Sequence, residues 1–160
     1  MKIAIYGREF SNAALPFVQQ VFDSLMKFGI EPFVYDKFSQ FISGKVYFPK
    51  KLQIFRNHND IKGLVDVLVS LGGDGTILDT VTLVRDSGIP VIGINFGRLG
   101  FLASINKDEI PSAIERLVAR QYTLDSRDLL RIESENKVFG HENFALNDVI
   151  IHRRDNSAML

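Results

Sequence analysis

The chain has 160 residues, enough for one ordinary domain or for one domain and part of a second. Nineteen Lys and Arg balance nineteen Asp and Glu, which excludes a protein that selects nucleic acid or an anionic membrane surface by bulk basic charge. There is no cysteine for a disulfide framework or thiolate metal site and no apolar run of membrane length; residues 1–6 run straight into a strand, so no secretory leader and a soluble cytoplasmic protein are expected.

In chain order, Lys2–Tyr6 reads as an apolar strand ending at Gly7, and Gly7-Arg8 opens a loop able to approach a ligand. After Ser11-Asn12 comes a helix whose Val18, Val21, Phe22 and Leu25 follow the i, i+3, i+4, i+7 stripe. Pro16 suits its first turn and Gly29 its end. Pro32–Tyr35 is a second short strand. Residues 37–51 mix aromatic and basic side chains (Phe38, Phe41, Tyr47, Phe48, Lys45, Lys50, Lys51) without a clear period. They predict an insertion packed on the surface rather than a nucleic-acid platform. Leu52–Phe55 is a further strand candidate, and Asn57-His58-Asn59-Asp60 is turn chemistry that leaves His58 in solvent.

Val65–Leu71 is an apolar, β-rich run of the kind buried on both faces of a parallel sheet. It stops at Gly72-Gly73-Asp74-Gly75-Thr76. A helix follows, with Ile77, Val81 and Val84 on one face and Leu78 beside them, closed by Ser87-Gly88. A glycine-rich turn between a buried strand and a helix N-terminus is where α/β proteins bind phosphates, because backbone N–H groups and the helix dipole converge there. A carboxylate opposes that charge logic. Asp74 is therefore expected to accept a proton from a hydroxyl or to bond ribose hydroxyls, the alternative being a simple helix cap. No Gly-Lys-Ser/Thr follows, so this is not a P-loop, and Leu78 stands where the G-x-G-x-x-G fingerprint needs its third glycine. A lipid-kinase or phosphofructokinase type of site, or a relative of these, stays open.

Ile89–Ile94 is the next buried strand and ends in Asn95-Phe96-Gly97-Arg98-Leu99-Gly100-Phe101, a second glycine-bearing loop at a strand's carboxyl end. Loops at that edge of a doubly wound sheet meet around one crevice, so the two should face one ligand. The alternative is an ordinary connection with Leu99, Phe101 and Leu102 in the core. Asn106-x-x-Glu109 is a capping-box pattern, followed by Ile110, Ile114, Leu117 and Val118 on one helical face. The fold class is α/β, with a doubly wound, mostly parallel sheet over residues 1–121. From residue 122 an all-β domain is expected to start, with Thr123–Glu133 and Glu142–Arg153 as an antiparallel hairpin. Asn147-Asp148 interrupts the second strand with a polar pair that needs partners if buried, from a ligand or at a bulge. A lone hairpin is marginal in water, so residues 122–160 predict the start of an incomplete second domain and a chain that is the front part of a longer protein.

Three segments in order make the sequence resemble the NAD kinase family over essentially its whole length. They are Gly72–Thr76, then Gly93-Ile94-Asn95-Phe96-Gly97-Arg98-Leu99-Gly100-Phe101, then Asn147-Asp148 with Val149–Arg153. The resemblance implies that residues 122–160 are the first strands of an incomplete C-terminal β-sandwich domain. It also implies ATP-dependent phosphorylation of the 2′-hydroxyl of the adenosine ribose of NAD, giving NADP, with a divalent cation, usually magnesium. Asp74 matches the aspartate proposed as general base. Gly73, Gly75, Asn95, Phe96 and Gly97 fall in the dinucleotide-binding loops, and Asn147 and Asp148 match the pair that bonds ribose and base. The family more often has Glu at the second of these positions. Asp79 stands where some members carry a basic residue near the phosphates, which puts a direct phosphate contact by this residue in doubt. Family members are commonly dimers or tetramers, which implies a homo-oligomer, with no nucleic-acid or membrane partner. The family's later glycine-and-threonine-rich segment is absent from the 160 residues, so little or no kinase activity is expected of this chain alone. The rival readings are a lipid or sugar kinase of the Gly-Gly-Asp-Gly group and a non-catalytic dinucleotide-binding module.

Overall fold

A computed structural model describes residues 1–48, 52–97, 100–133, 136, 139–140, 143–146 and 148–150. The chain divides into two compact units, Met1–Leu124 and Asp125–Leu160. In the first, strands β1 (Ile3–Gly7), β2 (Phe33–Tyr35), β3 (Gln53–Phe55), β4 (Val67–Leu71), β5 (Val91–Asn95) and β6 (Ile105–Asn106) form one sheet in the order β3-β2-β1-β4-β5-β6. Every pairing in it is parallel. Strand side chains alternate between two apolar layers. Ile3, Ile5, Val67, Val69 and Leu71 pack with Val18, Val21, Phe22 and Leu25 of α1 (Leu15–Lys27) and with Ile110, Ile114 and Leu117 of α4 (Ile110–Val118). Ala4, Tyr6 and Leu68 pack on the other face with Ile61, Ile89 and Leu83 of α3 (Asp74–Val84). The expected doubly wound α/β sheet is borne out.

The stripes of α1 and α4 lie where their spacing puts them. Pro16 sits in the first turn of α1, and Gly29 follows its end at φ +66°. Before α4, Asn106 Oδ1 accepts the Asp108 N–H at 3.3 Å and Glu109 Oε2 accepts the Asn106 N–H at 3.1 Å, a reciprocal capping box.

Three local expectations are corrected. Residues 37–51 are not a surface insertion throughout. Asp36–Ile42 forms a helix, α2, that buries Phe38 and Ile42 one turn apart, and Val46 is buried beyond it. A helix of two turns supplies too few stripe positions to reveal a period. His58 is buried rather than solvated, its Nδ1 lying 2.8 Å from the Leu83 carbonyl oxygen. The inner face of α3 is Thr76, Ile77, Thr80 and Leu83, with Leu78 outside and Val81 and Val84 only partly covered. Thr80 can be buried because its hydroxyl donates to the Ile77 carbonyl at 2.6 Å, so an apolar count misses that face.

In the second unit, β7 (Leu130–Arg131) and β8 (Phe144–Ala145) pair antiparallel, each two residues long. Residues 121–129 are irregular and exposed, so the long first strand expected over 123–133 is not formed. Asp148 is exposed, and Asn147 and residues 151–160 lie outside the described residues. Among the described residues no helix is long and apolar enough to cross a membrane.

Candidate functional site

The sheet's register brings three strand ends to one rim. Gly7 pairs with Leu71 and Leu71 with Ile94, so the chain leaves β1, β4 and β5 side by side. Between β1 and β4 the order of strands reverses direction, and the crevice outside the carboxyl ends at such a point is the usual ligand site of open α/β sheets. Gly72 turns there at φ +145°, and a Cβ on it would run into the Thr76 side chain, so the bend requires glycine. Its N–H donates to the Ile94 carbonyl at 2.9 Å, tying the first glycine loop to β5. Asp74 then opens α3, where a negative charge suits the positive end of the helix dipole.

The Asp74 carboxylate reaches across to the second glycine loop. Oδ2 accepts the Phe101 N–H at 2.8 Å, while Oδ1 accepts those of Leu102 at 3.0 Å and Ala103 at 2.8 Å. Those bonds, the Ala103 and Phe101 amides foremost, hold its carboxyl below the ordinary carboxylate value, against a smaller opposing effect of desolvation. Gly100 makes room for this docking, since a Cβ there would overlap the carboxylate. Asn95 is buried at the end of β5 and its Oδ1 accepts the Gly97 N–H at 2.9 Å, which shapes the start of the same loop. The Phe96 ring lies against Phe10 at 5.6 Å and Phe17 at 6.1 Å, anchoring the loop toward α1. Phe101 is 82% exposed, so it does not fill the core as an ordinary connection would have it. Gly73, Asp74 and Gly75 thus stand with Asn95, Phe96 and Gly97 in two loops joined by one side chain. Asp148 belongs to the second unit, and Asn147, Arg98 and Leu99 lie outside the described residues.

Residues 3–122 match the family model described as the ATP-NAD kinase N-terminal domain. The chain belongs to the NAD kinase family. NAD kinases of Flavobacterium psychrophilum and Cytophaga hutchinsonii are each 35% identical to it over 100% of this chain and 55% of their own length. The NAD kinase of Wolinella succinogenes is 41% identical over 59% of this chain and 33% of its own. The chain therefore spans about half the length of the curated relatives it matches. The crystal structure of yeast NADH kinase complexed with NADH superposes with a TM-score of 0.67 at 22% identity, covering 82% of this chain and 41% of that one. At that identity the likeness speaks for the fold.

In this NAD kinase family member the rim also holds a group that sequence reasoning touched only at its ends. Arg8 donates through Nε and Nη2 to the two carboxylate oxygens of Asp79, and the Tyr6 hydroxyl donates to Asp79 Oδ2 at 3.0 Å. Burial, then the hydrogen bond and charge of Asp79, push the Tyr6 hydroxyl up to about 12. The signals available were Arg8 directly after a strand's glycine and a carboxylate one helical turn and a residue beyond Asp74. Among the described residues no group of three or more His, Asp or Glu could hold a metal ion.

Proposed function

We propose that this chain supplies the α/β half of an enzyme that transfers the γ-phosphoryl group of ATP to the 2′-hydroxyl of the adenosine ribose of NAD, giving NADP and ADP. Magnesium enters with ATP, as part of the nucleotide substrate. The observation that carries the reading is the Asp74 carboxylate, set between two glycine loops at the crevice of the sheet. A carboxylate offers about four acceptor directions. Backbone amides take three, which leaves one on Oδ2 for a sugar hydroxyl.

A carboxylate stabilised in this way is a weak proton acceptor, yet phosphoryl transfer suits it. The transition state is loose, and catalysis rests on in-line positioning and charge stabilisation rather than on early deprotonation. Asp74 orients the hydroxyl and receives its proton as the O2′–P bond forms and the bond to the ADP oxygen breaks. Gly73, Gly75, Asn95, Phe96 and Gly97 frame the dinucleotide in this reading, and the family match is what assigns ribose and base contacts to Asn147 and Asp148.

The test joins residues 1–160 to the remaining C-terminal part of the Flavobacterium psychrophilum NAD kinase and follows NADP formation from NAD and magnesium-ATP. The fusion is expected to turn over and the 160-residue chain alone to show little activity. Asp74→Asn keeps one oxygen for Leu102 and Ala103, so NAD binding should persist while kcat falls by roughly 10²–10⁴-fold. A folded fusion that phosphorylates diacylglycerol or a free sugar and leaves NAD untouched would overturn the assignment.

A further inference from the structure

We infer that Arg8 is a polyphosphate-binding residue of this same site, presented at the crevice between β1 and β4 by Asp79 and Tyr6. The inference takes its location from the kinase reading above but stands on separate observations. Arg8 is the first residue after β1, and β1 ends beside β4, whose next residue is Gly72. It is thus one step from the glycine loop, on the other side of the point where the strand order reverses.

The geometry is that of a held guanidinium. Asp79 engages the Nε and Nη2 edge of the fork, and the same carboxylate accepts from Tyr6, whose ring is buried on β1 and packs 4.9 Å from Tyr35. Asp79 takes two N–H groups of Arg8, the Tyr6 hydroxyl also bonds to it, and the Arg8 side chain is 58% exposed against 27% for Asp79. Nη1 takes no part in the bonds to Asp79, and the side chain is more than half exposed, so an incoming anion can reach the fork; a guanidinium fixed along one edge suits phosphate oxygens along the other. An exposed ion pair alone contributes little to stability. A buried tyrosine bracing the carboxylate is more than such a pair requires, whereas positioning a cation requires it. Charge argues the same way. The glycine loops offer amide dipoles together with the negative Asp74, so a polyphosphate settling there needs a full positive charge, and Arg8 brings one to the rim.

Calorimetric titration of the 160-residue chain with inorganic tripolyphosphate tests this directly. Binding is expected for the unmodified chain, at least tenfold weaker for Arg8→Gln, and intermediate for Arg8→Lys, which keeps the charge but not the fork. The melting temperature should be nearly unchanged in both. In the fusion enzyme, Arg8→Gln should raise KM for ATP about tenfold and leave KM for NAD where it was. No tripolyphosphate binding by the unmodified chain, or equal binding by Arg8→Gln, overturns the inference. A fusion that makes NADP with KM for ATP indifferent to Arg8 overturns it and leaves the kinase reading standing. Arg8-dependent tripolyphosphate binding beside a fusion that never makes NADP does the reverse.

Discussion

At the scale of single residues, Asp74 has two tasks that one substitution would mix. Its carboxylate docks the backbone at Phe101–Ala103, and in the proposed reaction it also receives a substrate hydroxyl. Gly100→Ala separates the presence of the acid from its placement, because the added methyl displaces a carboxylate that stays in the chain. In the fusion enzyme we expect Gly100→Ala to lower kcat at least tenfold, and an unchanged kcat would show that the docking is irrelevant to turnover. The docking also sets a pH dependence. The folded-state carboxyl is lowered from 3.8, so its stabilising effect is present above that value and is lost as pH falls through the lower folded one. The stability gap between the unmodified chain and Asp74→Asn, read by denaturant midpoint, should close on acidification below about 3.8. Tyr6 acts at the opposite end of the scale. Raised to about 12 from 10.0, it contributes stability below 10.0 that is lost as pH rises through 12. Tyr6→Phe should flatten that alkaline decline in a thermal-melt series. Asp74 was legible in the sequence as the wrong charge for an amide-lined bend. Its partners, 27 to 29 residues further on, were not, because their approach depends on how the chain returns after β5.

At the scale of elements, what could be read depended on length and on polarity. The 13 residues of α1 repeat their apolar stripe often enough to be recognised, and the nine of α4 follow a turn whose capping box at Asn106–Glu109 announces the helix. The seven residues of α2 do neither, although Phe38 is among the largest fully buried side chains and closes over Gly7, where a Cβ would meet its ring at 2.7 Å. Phe38→Ala should therefore cost about 3–5 kcal/mol in urea unfolding. That is far more than expected of an aromatic on a surface insertion. Asn106→Ala, which removes one arm of the cap before α4, should cost about 1 kcal/mol. The inner face of α3 was concealed by Thr76 and Thr80, polar residues by composition, of which Thr80 donates its hydroxyl to a carbonyl of its own helix. His58 was concealed by a turn composition that does not show that the turn is covered by α3 through the Leu83 carbonyl.

At the scale of the whole molecule, the sequence shows that strands and helices alternate, and it places glycine loops at strand ends. It does not show which ends are neighbours. β1 lies beside β4, not beside β2 alone, and that arrangement brings Arg8 to the same rim as Gly72. Both apolar layers of the first unit draw their buried residues from Ile3 to Leu117, within the span that matches the family model. A chain ending at Leu124 should therefore retain cooperative unfolding and the hydrogen-exchange protection of β1, β4 and β5. Loss of that protection would mean that the sheet draws support from residues 125–160.

One acid touching three successive amides also has a spectroscopic consequence. The nitrogen–proton resonances of Phe101, Leu102 and Ala103 should drift in concert as acid is added and share one inflection below the usual range for aspartate. A lone proton is thus broadcast along adjoining lines of the spectrum, and the condition of the rim can be followed in solution before any substrate is supplied.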